Sequence, residues 1–433
     1  MPLALLFGCG APAQSVDLLI RNVYVYSGAG EHPALANVAI RDGKFLAIDK
    51  SRKQRFKATG TVDGNAMFMS PGLWDMHAHV ADTESGGLDP LGFLQYGVTG
   101  IRDTGGHAER IDDLQKALAD GRLPGPRIES VGPVLNGQAF ASFHLALDTP
   151  EQAIAAVERL VRDRHRQIKI HRALTRDVYQ SILRAAHASG ASVVGHIPLE
   201  VSPLQACELG QDGIEHLGSF LESHIATMQD GARDISTAIA YLLSDEAVPL
   251  FDCLRTRRVF VTPTLVVYPA VAKSRGFEEL PATLAEQIEG MQAVVLRLYE
   301  SGVPLLVGTD TASIGPLNIE PGRSYHAELE MLQQAGIPPR AIVRMATANA
   351  AAALGLDATH GAIEPGKVAD FLLTPRDPAE DIRHLAEFDA VYVNGEAVVA
   401  AAPPTAAGRG NQRPRSGPVQ ISPKSSTRPS AAR

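Results

Sequence analysis

The stretch Pro71-Gly72-Leu73-Trp74-Asp75-Met76-His77-Ala78-His79-Val80 divides the chain into two kinds of pattern. Pro71-Gly72 is turn punctuation. The run that follows is apolar enough for a strand buried on both faces. Side chains alternate along a strand, so His77 and His79 leave it on the same side, about 7 Å apart. Two imidazoles so placed can grip one metal ion. An isolated His-x-His is more often a pair of satisfied core residues, so other segments must decide.

Before Pro71 the pattern is β. "DLLIRNVYVYSG" (17–28), "ANVAIRDGKFLAID" (36–49) and "ATGTVDGNAMFMS" (58–70) alternate or run apolar between Gly and Asp breaks. After it, strand and helix patterns take turns. Strands are expected at 73–79, 98–103, 128–134, 167–171, 192–197, 213–217, 259–266 and 304–309. Amphipathic stretches such as "PEQAIAAVERLVRDRH" (150–165) and "TRDVYQSILRAAHASG" (175–190) lie between most of them. Eight strand–helix units in about 280 residues match a (β/α)8 barrel. The alternative, a doubly wound sheet, lacks a Gly-x-Gly-x-x-Gly after any strand. β patterns return in "GAIEPGKVADFLLTP" (361–375) and "FDAVYVNGEAVV" (388–399). The expected division is therefore a barrel over 71–360 and a small β-sandwich built from 16–70 and 361–400. The segment 402–433, rich in Pro, Ser, Gly and Arg, is expected to be a disordered basic tail.

The 433 residues are 45% hydrophobic and 20% charged, with net charge −8, as in a globular protein with a large core. Residues 401–433 hold five Arg, one Lys and no acid, so the rest carries −8 − 6 = −14. An acidic body argues against nucleic acid as partner. No run of 18 apolar residues is long enough to span a membrane. Cys9, Cys207 and Cys253 are too few for a disulfide scaffold, and no Cys-x-x-Cys suggests a thiolate metal site. In residues 1–15, Leu6-Phe7-Gly8-Cys9 resembles a lipobox and Ala11-Pro12-Ala13 an ordinary cleavage site, but a basic leader is missing. Export, periplasmic or with a lipid anchor at Cys9, is the expectation; a cytoplasmic chain with a disordered terminus is the alternative.

Chemistry in a β/α barrel sits where the strands end. The expected first strand ends in His77 and His79. The fourth, "RQIKIH", carries Lys169 and His171 on one face. The fifth ends in His196, the sixth in His216, and the eighth, "PLLVGTDT", in Asp310. Each apolar strand thus delivers a metal-capable or metal-adjacent group at its exit.

This order of residues resembles the metal-dependent amidohydrolase superfamily, in particular its imidazolonepropionase/Xaa-Pro dipeptidase-like branch. The resemblance rests on "PGLWDMHAH", "VTGIRDTGG", "IEHLG", "VGTDT" and the closing "MATANAAAALGLDATHGAIEPGKVADFLL", and it spans about residues 17–400. It implies two divalent ions, Zn²⁺ by the softness of imidazole. His77, His79 and Asp310 would hold one, and His196 and His216 the other. Lys169 would bridge them as a carbamate formed with CO₂, which a strand lysine with a lowered pKa favours. A metal-bridging hydroxide would attack the carbonyl. Asp310 would carry its proton to the leaving nitrogen.

The implied function is hydrolysis of a C–N amide bond in a dipeptide, N-acyl amino acid or related carboxamide. A mononuclear deaminase or cyclic-amide (imidazolone-type) hydrolase is the alternative. Deaminases of this kind carry His-x-x-Glu, whereas here Glu200 follows His196 one residue later. A catalytically dead barrel would have lost ligand residues, and all six are present. His144 (after the third strand) and Tyr268 (after the seventh) are candidates to contact substrate. His171, His224, His326 and Arg323 are weaker ones, and Arg102 and Asp103 are read as supporting or structural. A homo-oligomer is the expected assembly.

Overall fold

The computed structural model describes residues 13–26, 32–53, 55–81, 88–229, 232–314 and 317–400. Cys9, the start of the 1–15 segment and the 402–433 tail lie outside them.

Every residue of the strand Leu73–Ala78 is buried, as its unbroken apolar run requires. It pairs in parallel with Val98–Asp103, which pairs with Arg127–Ser130. Val134–Asn136, four residues on, meets Gln167–Ile170. The third strand is thus split around Gly132, which has φ +71°, and serves its two neighbours with different halves. Gln167–Ile170, Ser192–Gly195, Gly213–Glu215 and Phe260–Thr262 continue the parallel ladder in order. The segment around 304–311 is held by single bridges, Leu305 to Val261 and Thr311 to Ala78. Met76 N–H donates to Val307 O at 2.8 Å and Asp310 N–H to His77 O at 2.7 Å. These bonds connect the seventh strand back to the first. The seventh strand ends at Thr262, earlier than the expected 266.

Helices run between these strands. Pro150–Arg162 starts on a capping box, Thr149 with Gln152, and buries Ala153, Val157 and Leu160 at helical spacing. Pro203–Leu209 repeats the device with Ser202 and Gln205.

Both ends of the described chain meet in one eight-stranded sheet. Gln14–Val25 pairs with Ala34–Arg41, Phe56–Asp63 and Phe68–Pro71. Phe371–Thr374 then adds antiparallel to Phe68–Pro71, and Ala390–Val393 and Glu396–Ala400 follow. Ile20, Val38, Phe45, Met69 and Phe371 form its core. The short step from Phe68–Pro71 to Leu73–Ala78 is where this sheet hands the chain to the strand–helix alternation.

Cys207 and Cys253 are joined by a disulfide that closes a separation of 46 residues between two helices. No spacing rule announced it. Replacing both by Ser is expected to cost about 2–4 kcal/mol of stability, chiefly through the freer unfolded chain. Denaturant melts of the oxidised protein and the double variant measure it, and equal midpoints would show that the bridge contributes nothing.

Candidate metal centre

Three of the six residues expected to bind metal meet at one point, and the other three stand beside them. Asp310 Oδ1 lies 3.3 Å from His77 Nε2 and 3.2 Å from His79 Nε2. Candidate ligand atoms of these three residues all fall within 4.8 Å of one another, a group that could hold a metal ion. Lys169 Nζ is 3.4 Å from the same His77 nitrogen. The His216 ring stands 4.4 Å from that of His77, centre to centre, and His196 stands 4.8 Å from His216.

Local backbone makes this convergence. His216 and Asp310 each leave their strand with positive φ, 64° and 58°. Non-glycine residues rarely adopt that conformation, and it concentrates at functional sites. Gly308 lets the 304–311 segment press against the first strand: a Cβ there would lie 2.8 Å from His77 Cβ. Gly195, with φ +133°, plays the same part before His196, since its Cβ would meet Ile170 O at 2.1 Å.

A second set of groups orients the first. His77 Nδ1 is 2.8 Å from Glu215 Oε2, so as donor it leaves Nε2 free toward Asp310. Arg102 is almost fully buried and grips the other Glu215 oxygen. It also donates from Nε to Met76 O at 2.7 Å and from Nη1 to Gln167 Oε1 at 3.2 Å. His79 Nδ1 meets Gly105 O at 2.9 Å, and His216 Nδ1 meets Thr264 Oγ1 at 2.7 Å. Asp75 accepts from His77 N–H and Thr309 N–H, each at 3.1 Å, which ties the first strand to the last. Glu215, Asp75 and Thr264 were not singled out from the sequence. Glu215 stands inside the quoted "IEHLG", next to His216, and a buried acid in an apolar strand was the available signal.

The charge states suit a cation. Burial, aided by Lys169, lowers the pKa of His77. Burial and neighbouring imidazoles hold His196 and His216 well below the usual range. Burial alone would raise Asp310, but His216, His77 and His79 hold its carboxyl well below the usual range. Burial likewise opposes ionisation of Glu215, and Arg102 and His77 overcome it. Burial pushes Lys169 down to about 8, against the pull of Glu215 and Asp310. His196 Nδ1 is buried with no hydrogen-bond partner among the described residues. Burial would lower His79 as well, but Asp310 raises it. The lowered pKa of His77, His196 and His216, the ionised Asp310 and Glu215 and an orphaned buried nitrogen together fit a divalent ion.

Beyond this cluster the imidazoles continue outward. The His171 ring is tilted against that of His196, centroids 4.0 Å apart, and His144 lies 5.4 Å from His171. Burial lowers His171 to about 3 and His144 to about 4, so both are neutral. Exposed Phe140 stands edge-on to both rings. The Tyr268 hydroxyl packs against Gly218, two residues past His216: a Cβ there would lie 2.8 Å from it. Three candidates sit apart. His224 stacks on Tyr241, His326 bonds Tyr96 O at 2.9 Å, and exposed Arg323 pairs with Glu320. Asp103 accepts from Val80 N–H and Ser130 Oγ behind His79.

Glu215→Gln removes the negative charge and turns one of the two oxygens that receive Arg102 and His77 into a donor. It is expected to weaken metal binding by about 10–100-fold. A metal titration followed by calorimetry measures this, and an unchanged affinity would show that His77 needs no such support.

The amidohydrolase family model matches residues 68–398. A 5-methylthioadenosine/S-adenosylhomocysteine deaminase of Desulforudis audaxviator is 23% identical over 420 residues, covering 88% of this chain and 93% of its own. Adenine deaminase 2 of Shouchella clausii is 37% identical over 91 residues, and the match spans only 15% of that enzyme's length. Among solved structures, a putative prolidase from Bifidobacterium longum superposes with a TM-score of 0.70 at 25% identity, covering 89% of this chain and 95% of the other. The model's match over most of the chain, on strands that end in His77, His79, Lys169, His196, His216 and Asp310, places this protein in the amidohydrolase family.

Proposed function

We propose that this chain is a metal-dependent hydrolase of C–N amide bonds, acting on a dipeptide, an N-acyl amino acid or a related carboxamide. The carrying observation is the meeting of His77, His79 and Asp310 with Lys169 beside the same His77 nitrogen. The likeness to a prolidase structure supports it. We read the parallel strands as a closed (β/α)8 barrel and the terminal sheet as its β-sandwich.

His77, His79 and Asp310 would hold one Zn²⁺ and His196 and His216 a second. Lys169 would bridge them as a carbamate. That step joins Nζ to the carbon of CO₂ and releases one proton. The bound metals would supply an activated water and a Lewis acid for the scissile carbonyl. Asp310, ionised and within hydrogen-bond reach of two imidazoles, accepts a proton at a carboxylate oxygen and returns it to the departing nitrogen. His144, which neighbours His171, and Tyr268, which packs against Gly218, would contact substrate.

A deaminase or cyclic-amide hydrolase on one metal is the second reading. It is favoured by the near full-length likeness to a deaminase, and by the single three-ligand group among the described residues. Glu200 counts against it: the residue is exposed and accepts from Arg176 N–H at 2.8 Å, capping a helix.

The test is amine release by Zn²⁺-loaded protein from Xaa-Pro and other dipeptides and N-acyl amino acids, beside ammonia release from aminopurines. Amine release supports the first reading. Ammonia release alone would replace it with the second.

We further propose that the chain is exported. The Cys207–Cys253 bridge supports this, because such bonds persist in oxidising compartments. Thiol alkylation of freshly lysed cells, read by mass spectrometry, should find both cysteines protected; two alkylated thiols would contradict it.

A further inference from the structure

The mechanism uses the ends of the strands where Asp310 and the histidines emerge. A second cavity, of about 640 Å³, lies where the strands begin, against the terminal sheet. Tyr26 and Ala379 line it from the sheet side, and Pro304, Leu305 and the helix Pro339–Arg344 from the other. Leu305 precedes Asp310 by five residues of nearly extended chain, so the cavity and the metal centre are roughly 15 Å apart along that segment.

Its lining is chemically one-sided. Arg255, Arg258, Arg340 and Arg344 all reach it, and no Asp or Glu does. Arg255 is paired with Asp252 at 3.0 Å. The side chains of Arg258, Arg340 and Arg344 have no hydrogen-bond or ion-pair partner among the described residues, and Arg340 Nη2 is buried as well. Asp377, beside Tyr26, is already engaged by the Tyr26 hydroxyl and the Ala379 N–H. A buried guanidinium nitrogen without a partner is costly and rare. A body carrying −14 has here gathered around one hollow three arginines that form no ion pair, Arg258 and Arg344 exposed and Arg340 half-buried, with Asp377 and Glu380 near Tyr26 on the sheet side. Water can satisfy an N–H but cannot balance the charge. Val303, Leu305, Val343 and Met345 give it a buried apolar wall, beside the polar Thr347 and Asn349.

We propose that this cavity binds a small organic anion: a carboxylate or phosphate headgroup on a short apolar body. The planar guanidinium fork matches both headgroups in bidentate fashion. The apolar walls take the body. Such a ligand spans ring and terminal sheet, and so stabilises their junction without touching the metal ligands.

The experiment is thermal unfolding of the full, metal-loaded chain with hexanoate, hexyl phosphate, hexylamine or inorganic phosphate. At a hundred times Kd, a bound anion should raise Tm by about 3 °C. Hexanoate or hexyl phosphate should do so, and the stronger of the two names the headgroup. Hexylamine should not, and inorganic phosphate should do less than hexyl phosphate. Arg340→Met with Arg344→Met should abolish the shift and leave amide hydrolysis as in the parent. If that pair does not fold, Arg344→Gln alone should weaken binding at least about tenfold. The proposal is overturned if no anion shifts Tm, if hexylamine matches hexanoate, or if the shift survives in the arginine variants. A surviving shift would place the anion elsewhere, the metal centre included, so this failure is separable from that of the hydrolase reading.

Discussion

Asp310→Asn is expected to lower kcat by about 10²–10⁴-fold while the protein folds as before. The carboxylate accepts no structural bond that an amide could not also accept. Its backbone N–H, which donates to His77 O at 2.7 Å, is untouched. What the amide lacks is basicity. It cannot take a proton and pass it on, and it cannot balance the charge of a cation held by His77 and His79. The loss should therefore fall mainly on kcat, with KM for the same substrate changing far less. A comparison of steady-state constants at equal metal occupancy measures it. A variant that keeps more than about a tenth of parental kcat would remove Asp310 from proton transfer.

His77→Ala is expected to lose metal and activity together. Three neighbours meet at this imidazole: Asp310 and Lys169 at Nε2, and Glu215 at Nδ1. Deleting it opens the centre of the cluster, and metal affinity should fall by more than about 100-fold, beyond what the loss of an orienting partner costs. The fold should survive. The strand keeps its backbone bonds, and Glu215 keeps Arg102 as counter-ion. Removing one partner of a buried bond still costs about 1–3 kcal/mol, so a lowered melting point is part of the expectation. Metal content by elemental analysis, with circular dichroism as the folding control, reads both. Full metal content in the folded variant would contradict the assignment of His77.

The ligand-type residues were legible because they interrupt a strong pattern. Leu73–Ala78 and Gln167–Ile170 are buried end to end, so a polar group at the exit of such a strand is conspicuous. Strand order then makes those exits neighbours, which is why residues as distant as 77 and 310 lie within 3.3 Å. Glu215 and Arg102 were hidden for the opposite reason. Each is a charge within an apolar run, and the partner that justifies it lies 113 positions away. Arg102 in "VTGIRDTGG" was read as supporting, but nothing local showed that it grips Glu215. The third strand was expected as one run over 128–134 and is split, and 304–309 was expected as a strand and is held by single bridges. An apolar run marks where a strand passes but not where its pairing switches partner or thins to single bridges. The Cys207–Cys253 bridge depends on the approach of two helices, which spacing alone does not encode.

The most direct test of the central claim is amine release before and after metal removal. The protein would be assayed on its best dipeptide or N-acyl substrate, stripped with a chelator, and reloaded with Zn²⁺. The account predicts that activity disappears on stripping and returns on reloading in the parent, and that reloaded His77→Ala stays inactive. Undiminished hydrolysis by protein shown to contain no metal would contradict it.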